Sequence, residues 1–528
     1  MKNVKFMISS ANCSSLLYIC SRNTLLNIRR DDMVRKILLC CIILVFFIPS
    51  INFAGSFGKD DPSGTPGNWY VGTSPSSVDN GKHPILFVHG LNSSSSTWWE
   101  ENNMYDTAYE AGYETSFIDL YPSKNMWDNG SLLAQKIKSI SNHFGERVVL
   151  VAHSKGGVDA QSAIVHYGAA PYVAKVITLS SPHHGSELAD LAYSSWAGWL
   201  AGIIGSKSDA TYSLQTGYME YFRSQTDHKS NVHQVPIYTF GGTDIGSFGS
   251  SLYWGGLYLN SYGENDGAVT VESSRLPYAT EIKVDAWDHS SIKEGTSTFS
   301  LFDNYLNEGV YSLASSLKMN PIGTVNTEDN GISTIIRGGE VEKEKTESFR
   351  IEKGVKEITV DWISNQKEAK LTLINPKQQT STPITTMKDN TAFFNGAYHH
   401  SVTITKPSSG TWKVHARNKQ KYLLHVSLDS PLNDKIDFSL NRDKSLFKAQ
   451  AKDDSVHLTT KATVEFYKNG KQKKGKVQMK KNGTLHMPKL GEGVYNITVE
   501  INGKDENGAF ERTKIKTVYV DENGKMYE

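Results

Sequence analysis

The sequence has almost no net charge and very little cysteine. Lys and Arg together number 56 against 55 for Asp and Glu, so the chain as a whole does not attract nucleic acid or an acidic surface. All of the cysteines, Cys13, Cys20, Cys40 and Cys41, lie near the start of the chain. Neither disulfides nor a cysteine-bound zinc can therefore hold the body of the protein together, and we expect no nucleic-acid partner and no cofactor.

A long hydrophobic run is also missing. The most apolar stretch, Ile37–Ile48, has 12 residues, fewer than the roughly 20 that a helix needs to cross a bilayer. An Arg-Lys pair precedes it and Ala-Gly follows, which is the arrangement of a secretory signal peptide. We expect a cleaved signal over residues 33–54 and a secreted protein, with a retained anchor as the alternative and residues 1–32 as a mis-assigned start.

Over residues 80–320, apolar runs typical of buried strands alternate with stretches whose apolar residues recur at helical spacing. Because strand, helix and strand follow one another, this pattern predicts a mostly parallel sheet with crossover helices. The strand-like runs are "HPILFVHG", "RVVLVAHS", "AKVITLSSP", "VPIYTFGG" and "TEIKVDAW". Before them, the Gly/Pro/Asp-rich residues 55–79 are predicted to form a flexible linker.

The pattern changes after residue 323. Short stretches of alternating apolar and polar residues, such as "KEITVDWI" and "YLLHVSL", are separated by polar turns with no convincing helix between them. This is typical of small β-sandwiches, and we predict one module over 323–430 and a second over 431–528. The basic stretch "KNGKQKKGKVQMKKNG" in the second module is read as a solvated hairpin, with cell-wall contact as the alternative.

The segment "LVAHSKGGVDA" places Ser154 at a sharp junction between a predicted strand and a predicted helix. A serine nucleophile needs such a turn, with small residues two positions before and after it, here Ala152 and Gly156. The alternative is a structural serine in a turn. The backbone N–H of Lys155, just after the serine, and that of Leu91, after the first strand, are the expected oxyanion donors.

A serine hydroxyl needs a histidine base and an orienting carboxylate, which should follow it in the order acid, then histidine. His289, in "DAWDHSSIKEG", follows a predicted strand and has the position of the base. Asp266, in the Gly-flanked loop "GENDGAVTVESS", is the favoured acid. The competing residues are Asp244 for the acid and His228 or His233 for the base.

The motifs "FVHGLN", "AHSKGG", "TLSSPHHGS", "NDGAV" and "WDHSS" occur in this order. Together they resemble the secreted bacterial lipases of the α/β-hydrolase fold, and the Bacillus-type branch most closely, because its elbow also begins with Ala. The resemblance covers about residues 80 to 310. It implies a carboxylic ester hydrolase and the same triad and oxyanion residues.

The resemblance also raises the question of metals. Some relatives bind calcium through an Asp two residues after the triad histidine, and here Ser291 occupies that position. Others bind zinc in the insert, but His183 and His184 are more easily explained as loop residues. We therefore predict no metal site.

The residues between Ser154 and Asp266 exceed what the intervening strands require. The surplus, about 186–233, includes an apolar helical pattern with Trp196, Trp199 and Leu200. It suits either a core helix or a lid-like wall of an acyl cleft, and contact with a lipid–water interface follows from the second reading.

These observations favour an extracellular triacylglycerol lipase that acts on a water-insoluble ester through an acyl-enzyme. A depolymerase of polyhydroxyalkanoate, with the β modules as adsorption domains, is the alternative of the same chemistry. A secreted binding protein with an inert hydrolase fold is the alternative of another class.

Overall fold

The computed structural model describes most of the chain after residue 63. The described residues are 64–76, 81–203, 207–307, 331–382, 385–391, 393–441, 446–452, 456–478 and 484–528, and Gly55–Glu528 form one compact unit. The predicted signal peptide and the segment before it lie outside the described residues and stay predictions. Within the described ranges, no helix is both long and apolar enough to cross a membrane.

The first half of the described chain is organised around one sheet with the strand order β1-β3-β2-β4-β5-β6-β7. Strand β1 runs antiparallel to β3, and the other neighbouring pairs are parallel. The strands are β1 (Trp69–Val71), β2 (Ile85–Val88), β3 (Thr115–Ile118), β4 (Val148–His153), β5 (Val173–Leu179), β6 (Ile237–Gly242) and β7 (Thr280–Asp285). The runs predicted from "HPILFVHG" to "TEIKVDAW" thus form β2, β4, β5, β6 and β7.

Helices cover the sheet and connect its strands, and β2 to β5 are accordingly buried on both faces. The helices are α1 (Met104–Glu110), α2 (Met126–Phe144), α3 (Lys155–His166), α4 (Glu187–Tyr193), α5 (Gly198–Ile203), α6 (Asp209–Ser213), α7 (Thr216–Thr226), α8 (Ser251–Leu259) and α9 (Gly295–Leu306). This strand and helix order is the mostly parallel α/β architecture that the sequence predicts.

Strand β1 lies inside residues 55–79, which the sequence predicts to be a flexible linker. Its residues pair with Ser116–Ile118 of β3, and the Tyr70 hydroxyl donates to Asp119 Oδ2 at 3.0 Å. Trp69 packs edge-on against His143 at 5.4 Å. The α/β sheet therefore begins at Trp69, because pairing with β3 and the contacts of Trp69 and Tyr70 hold this segment on the sheet.

The second half of the chain is all β and forms two modules, as the sequence predicts. The first β module has sheets ordered β13-β14-β10-β16-β8 and β12-β11-β15-β9, and the second has β17-β18-β21 and β20-β19-β22-β23-β24. The strands are β8 (Thr334–Val341), β9 (Glu344–Ile351), β10 (Glu357–Ser364), β11 (Lys370–Ile374), β12 (Thr380–Ser381), β13 (Thr385–Lys388), β14 (Tyr398–Thr405), β15 (Gly410–Arg417), β16 (Gln420–Asp429), β17 (Ile436–Asn441), β18 (Leu446–Ala451), β19 (His457–Lys468), β20 (Lys471–Gln478), β21 (Thr484–His486), β22 (Gly493–Asp505), β23 (Gly508–Val520) and β24 (Met526–Tyr527).

The β modules pack on the α/β domain and share one buried cluster with it. Leu91 and Val158 of the α/β domain belong to this cluster together with Phe393 and Phe394 of the first module and Ile515 of the second. The three parts are therefore joined by a common apolar core rather than by a linker alone.

Candidate active site

Ser154 lies between the end of β4 and the start of α3 with φ 54° and ψ −133°. A residue with a side chain adopts this left-handed backbone only at a cost, and such strain is the mark of a serine held out at a sharp strand-to-helix turn. A Cβ on Gly156 would lie 2.5 Å from the His89 carbonyl oxygen, so a side chain there would push the turn away from the end of β2. The glycine two residues after the serine is thus required sterically.

The loop after β2 approaches the serine closely as well. A Cβ on Gly90 would lie 2.8 Å from Ser154 Cβ. His89 fixes this loop, because its Nε2 accepts from the Leu120 N–H at 2.9 Å and its Nδ1 lies 2.9 Å from the Gly90 carbonyl oxygen. Leu91, the predicted oxyanion donor, follows directly and is buried.

Lys155, the other predicted oxyanion residue, begins α3 and is fully buried. Its Nζ contacts both carboxylate oxygens of Asp159 at 2.7 and 2.8 Å, and Asn129 donates to Asp159 Oδ2 at 2.9 Å. Burial lowers the pKa of Lys155 and raises the pKa of Asp159. The Lys155 side chain therefore anchors the first turn of α3 through Asp159.

The structure brings His289 and Asp266 together. His289 Nδ1 lies 2.6 Å from Asp266 Oδ2, and both side chains are completely buried. Asp266 Oδ1 accepts from the backbone N–H groups of Ala268 and Val269 at 3.0 and 2.8 Å. The "NDGAV" turn thus holds the carboxylate with one oxygen on its own loop and the other on the histidine.

His289 also lies beside the elbow. The ring of His153, the residue before Ser154, is 4.6 Å from the ring of His289, and His153 Nε2 is 2.8 Å from the His289 carbonyl oxygen. Burial, together with the nearby His289 and Lys293, holds the pKa of His153 well below its usual range, so its ring is neutral at ordinary pH. His153 is a neighbour of the predicted base that the sequence interpretation missed, because only the fold brings positions 153 and 289 together.

The competing acids and bases are placed elsewhere. The Asp244 carboxylate is exposed and accepts from the Gly246 N–H at 2.8 Å. His233 packs edge-on against Tyr278 at 5.6 Å, and His228 is exposed. The contact between Asp266 and His289 therefore favours the acid and base that the sequence predicts.

The predicted cleft residues lie where the insert meets the first β module. Trp196 faces Arg337, whose guanidinium carbon is 5.9 Å from the indole ring, and a Cβ on Gly338 would lie 2.2 Å from the Trp196 carbonyl oxygen. Trp199 and Leu200 are on α5, and the structure does not describe their side chains. The reading of residues 186–233 as a lid stays a prediction.

The positions discussed for metals have other contacts. Ser291 Oγ accepts from the Asp288 N–H at 3.0 Å, and His184 Nδ1 lies 2.6 Å from Glu220 Oε1. His183 is fully buried, with Nε2 3.4 Å from Thr178 Oγ1. In the described part of the chain, no group of three or more His, Cys, Asp or Glu residues could hold a metal ion.

The parallel sheet, the elbow and the histidine–carboxylate pair define an α/β hydrolase. Family models match two parts of the chain: a PGAP1-like alpha/beta domain at residues 102–194 and a Hemicentin galactose-binding domain-like module at residues 334–431. The second match lies on the first β module.

Three relatives extend the comparison. The crystal structure of Bacillus licheniformis lipase BlEst2 in propeptide form is 41% identical with a TM-score of 0.79, and the match covers 88% of this chain and 100% of that one. The mature form of the same lipase is 55% identical with a TM-score of 0.45, over 46% of this chain and 100% of that one. Triacylglycerol lipase 2 of Saccharomyces cerevisiae is 32% identical over 132 residues, which are 24% of this chain and 40% of the yeast protein.

The chain thus spans less than half the length of the yeast relative, whereas it covers the Bacillus lipase completely. It belongs to the lipase and esterase family of the α/β-hydrolase fold. The protein is accordingly a carboxylic ester hydrolase, and the resemblance seen in the sequence motifs is confirmed.

Proposed function

We propose that the protein is an extracellular triacylglycerol lipase whose nucleophile is Ser154, with His289 as base and Asp266 as orienting acid. The observation that carries this proposal is the 2.6 Å contact between His289 and Asp266 beside the elbow. The extracellular location rests on the signal-peptide pattern of residues 33–54. The triacylglycerol substrate is supported by the similarity to yeast triacylglycerol lipase 2 and by the apolar cluster that contains Leu91 and Leu188.

In the proposed reaction, His289 Nε2 removes the proton of Ser154 Oγ as the oxygen attacks the ester carbonyl. Asp266 holds Nδ1–H and so stabilises the imidazolium that forms. The backbone N–H groups of Leu91 and Lys155 donate to the oxyanion. His289 then returns the proton to the departing alcohol. In the second half of the reaction His289 removes a proton from water, which attacks the acyl-enzyme, and the proton returns to Ser154 Oγ as the carboxylic acid leaves.

The proposed site is closed to solvent in the full chain, and Leu91 shares a buried cluster with Phe393 and Phe394 of the first β module. Ser154 is only 4% exposed, and Asp266 and His289 are not exposed at all. The Bacillus licheniformis lipase structure that matches 88% of this chain is a propeptide form. We infer that the β modules act as a pro-region here, so that an ester reaches Ser154 only after they are displaced or removed.

The test uses residues 55–528, assayed on p-nitrophenyl esters from short to long acyl chains and on a triglyceride emulsion. We expect hydrolysis that increases after limited proteolysis and that disappears in Ser154→Ala. Ser139→Ala, on the exposed side of α2, is the matched control and should keep the wild-type rates. Hydrolysis that survives Ser154→Ala contradicts the proposed nucleophile, and clearing of polyhydroxyalkanoate without triglyceride hydrolysis would instead favour the polyester depolymerase.

A further inference from the structure

One segment next to the triad has no charged side chain. Phe248–Tyr262, which contains α8, reads "FGSSLYWGGLYLNSY" and has five aromatic residues among its 15. Aromatics make up only 10% of the whole chain, and charged residues make up 21%. We call Phe248–Tyr262 the aromatic segment. A stretch of this composition is expected in a core, at a protein interface or at a lipid surface.

The inner side of the aromatic segment lies on the loop that carries Asp266. A Cβ on Gly255 would lie 2.3 Å from the Gly267 carbonyl oxygen, and a Cβ on Gly267 would lie 2.7 Å from Leu252 Cβ. The Asn265 amide donates to the Gly256 carbonyl oxygen at 3.4 Å. Whatever binds the other side of α8 is therefore separated from the acid loop only by the thickness of this helix.

The outer side of the aromatic segment carries the β modules. Trp254 stacks on His399 of the first module at 5.6 Å with an interplanar angle of 15°, and Tyr258 packs edge-on against His425 at 5.9 Å. Ser251 Oγ also accepts from the Asn390 N–H of that module at 3.0 Å.

The second module contacts the end of the same segment. The Tyr262 hydroxyl donates to the Ile515 carbonyl oxygen at 3.0 Å, and Lys514 Nζ lies 3.9 Å from the centre of the Tyr262 ring. Both modules thus cover one continuous face of the α/β domain.

From this arrangement we propose that the outer face of the aromatic segment is the lipid-binding surface of the enzyme, and that the β modules mask it. The inference rests on the proposed function, because a lipid-binding face serves only an enzyme that meets an insoluble ester. The partner is the surface of an uncharged or zwitterionic lipid phase.

The chemistry of the segment fits that partner. Trp254 and Tyr258 are now only 3% and 2% exposed. Displacement of the modules would expose both side chains to water and leave an uncovered apolar patch. Phe248, at the edge, is already 53% exposed. Indole and phenol rings place an apolar body in the acyl region and a polar tip among the headgroups. Since the segment has no charge, binding needs no anionic lipid and is insensitive to salt.

The experiment uses the full chain with the modules displaced by steric conflict. A side chain at Gly217 would meet the backbone of Val518 and Tyr519 at 2.8 Å, and one at Gly338 would meet that of Trp196 at 2.2 Å. Gly217→Gln/Gly338→Gln, the release variant, therefore separates each module from the α/β domain without adding apolar surface. Gly202→Gln, where nothing lies within 4 Å, is the matched control.

Flotation with phosphatidylcholine vesicles measures lipid binding, and hydrolysis of soluble p-nitrophenyl butyrate measures the site. We expect the wild type and the control to remain in the soluble fraction and the release variant to float. Adding Trp254→Ser/Tyr258→Ser to the release variant should lower its vesicle partition at least about tenfold, because the two aromatic side chains on the outer face are lost from the contact. Phe393→Asp/Phe394→Asp is a second release variant with the same expectations, should the first not fold.

Two results would overturn the proposal. One is a release variant that hydrolyses the soluble ester faster than wild type yet does not float. The other is flotation that Trp254→Ser/Tyr258→Ser leaves unchanged. Hydrolysis of the soluble ester that does not depend on Ser154 would refute the proposed function instead, whatever the flotation shows.

Discussion

Asp190 should make the stability of the folded chain depend on pH. It lies on α4, completely buried, where the α/β domain meets the second β module. Its Oδ1 accepts from the Thr216 N–H at 3.0 Å and from Thr517 Oγ1 at 2.9 Å, and its Oδ2 accepts from Thr216 Oγ1 at 2.7 Å. Asn496 donates to the Asp190 carbonyl oxygen at 2.7 Å. The nearby charge of Glu187 raises the pKa of Asp190, as burial does.

Burial raises the pKa of Asp190 to about 7 from an ordinary 3.8. Between pH 3.8 and about pH 7, the folded chain therefore keeps a proton on Asp190 that the unfolded chain has lost. Stability from this group is complete below pH 3.8 and declines as the pH rises to about 7. At 1.36 kcal/mol per pKa unit, the decline is at most about 4 kcal/mol.

Asp190→Asn removes this titration while keeping a neutral group of the same shape. The amide oxygen can retain both contacts of Oδ1, and the Thr216 hydroxyl can rotate to accept from the new amide. We expect the free energy of unfolding in urea to fall more steeply between about pH 5 and about pH 8 in wild type than in the variant, by about 2–3 kcal/mol, because about two of the pKa units lie in this window. His399, whose pKa is raised to about 10 by the Asp361 and Asp389 carboxylates against its burial, also loses stability as the pH rises, but equally in both proteins.

Thr211→Ser, in α6 and away from this contact, serves as a control for handling and refolding. If wild type and Asp190→Asn show parallel pH dependence over the same range, Asp190 is already ionised in the folded state. The linkage derived from its burial would then be refuted.

Two further predictions concern the triad and the joint between the modules. Asp266→Asn should lower kcat for p-nitrophenyl butyrate by about three to four orders of magnitude with little change in KM, because His289 loses the partner that orients it; an equal loss in Asp244→Asn would contradict this assignment. Arg512→Met should lower the free energy of unfolding by about 3–5 kcal/mol in urea, since it leaves the buried Glu352 carboxylate without the partner that lies 2.5 Å away. Glu352→Gln added to Arg512→Met should restore part of that loss, and no restoration would mean that packing of the Arg512 side chain, rather than its charge, is what matters.

The strands and the order of the site residues could be predicted from the sequence because both depend on local patterns. Buried parallel strands are continuous apolar runs, and "PILFV" and "RVVLV" are of this kind. Ser154 directly follows such a strand, β4, and His289 follows β7, so chain order and loop position are enough to predict them, whereas Asp266 was predicted from its Gly-flanked loop. The β-strands after residue 323 could likewise be predicted without tertiary information, because apolar and polar residues alternate there with a period of two.

Other features depend on contacts between distant residues. The linker prediction for 55–79 missed β1, because Tyr70 is held by Asp119, which lies 49 residues later. His153 was not recognised as a neighbour of His289, because 136 residues separate them. The aromatic segment did carry a signal, the absence of charge over Phe248–Tyr262, but apolar composition alone does not say what covers a helix.

For the insert at 186–233 too, apolar composition alone does not say what covers the helices. The sequence offered a choice between a core helix and a lid for the region around Trp196. In the folded chain Trp196 touches the first β module, and α8, outside that insert, lies between the acid loop and both modules. A surface covered in one state of the chain and bare in another is core in the first state and interface in the second. Under the proposed pro-region model the two readings are compatible: the core reading describes the chain with its β modules in place, and the lid reading describes it after their displacement.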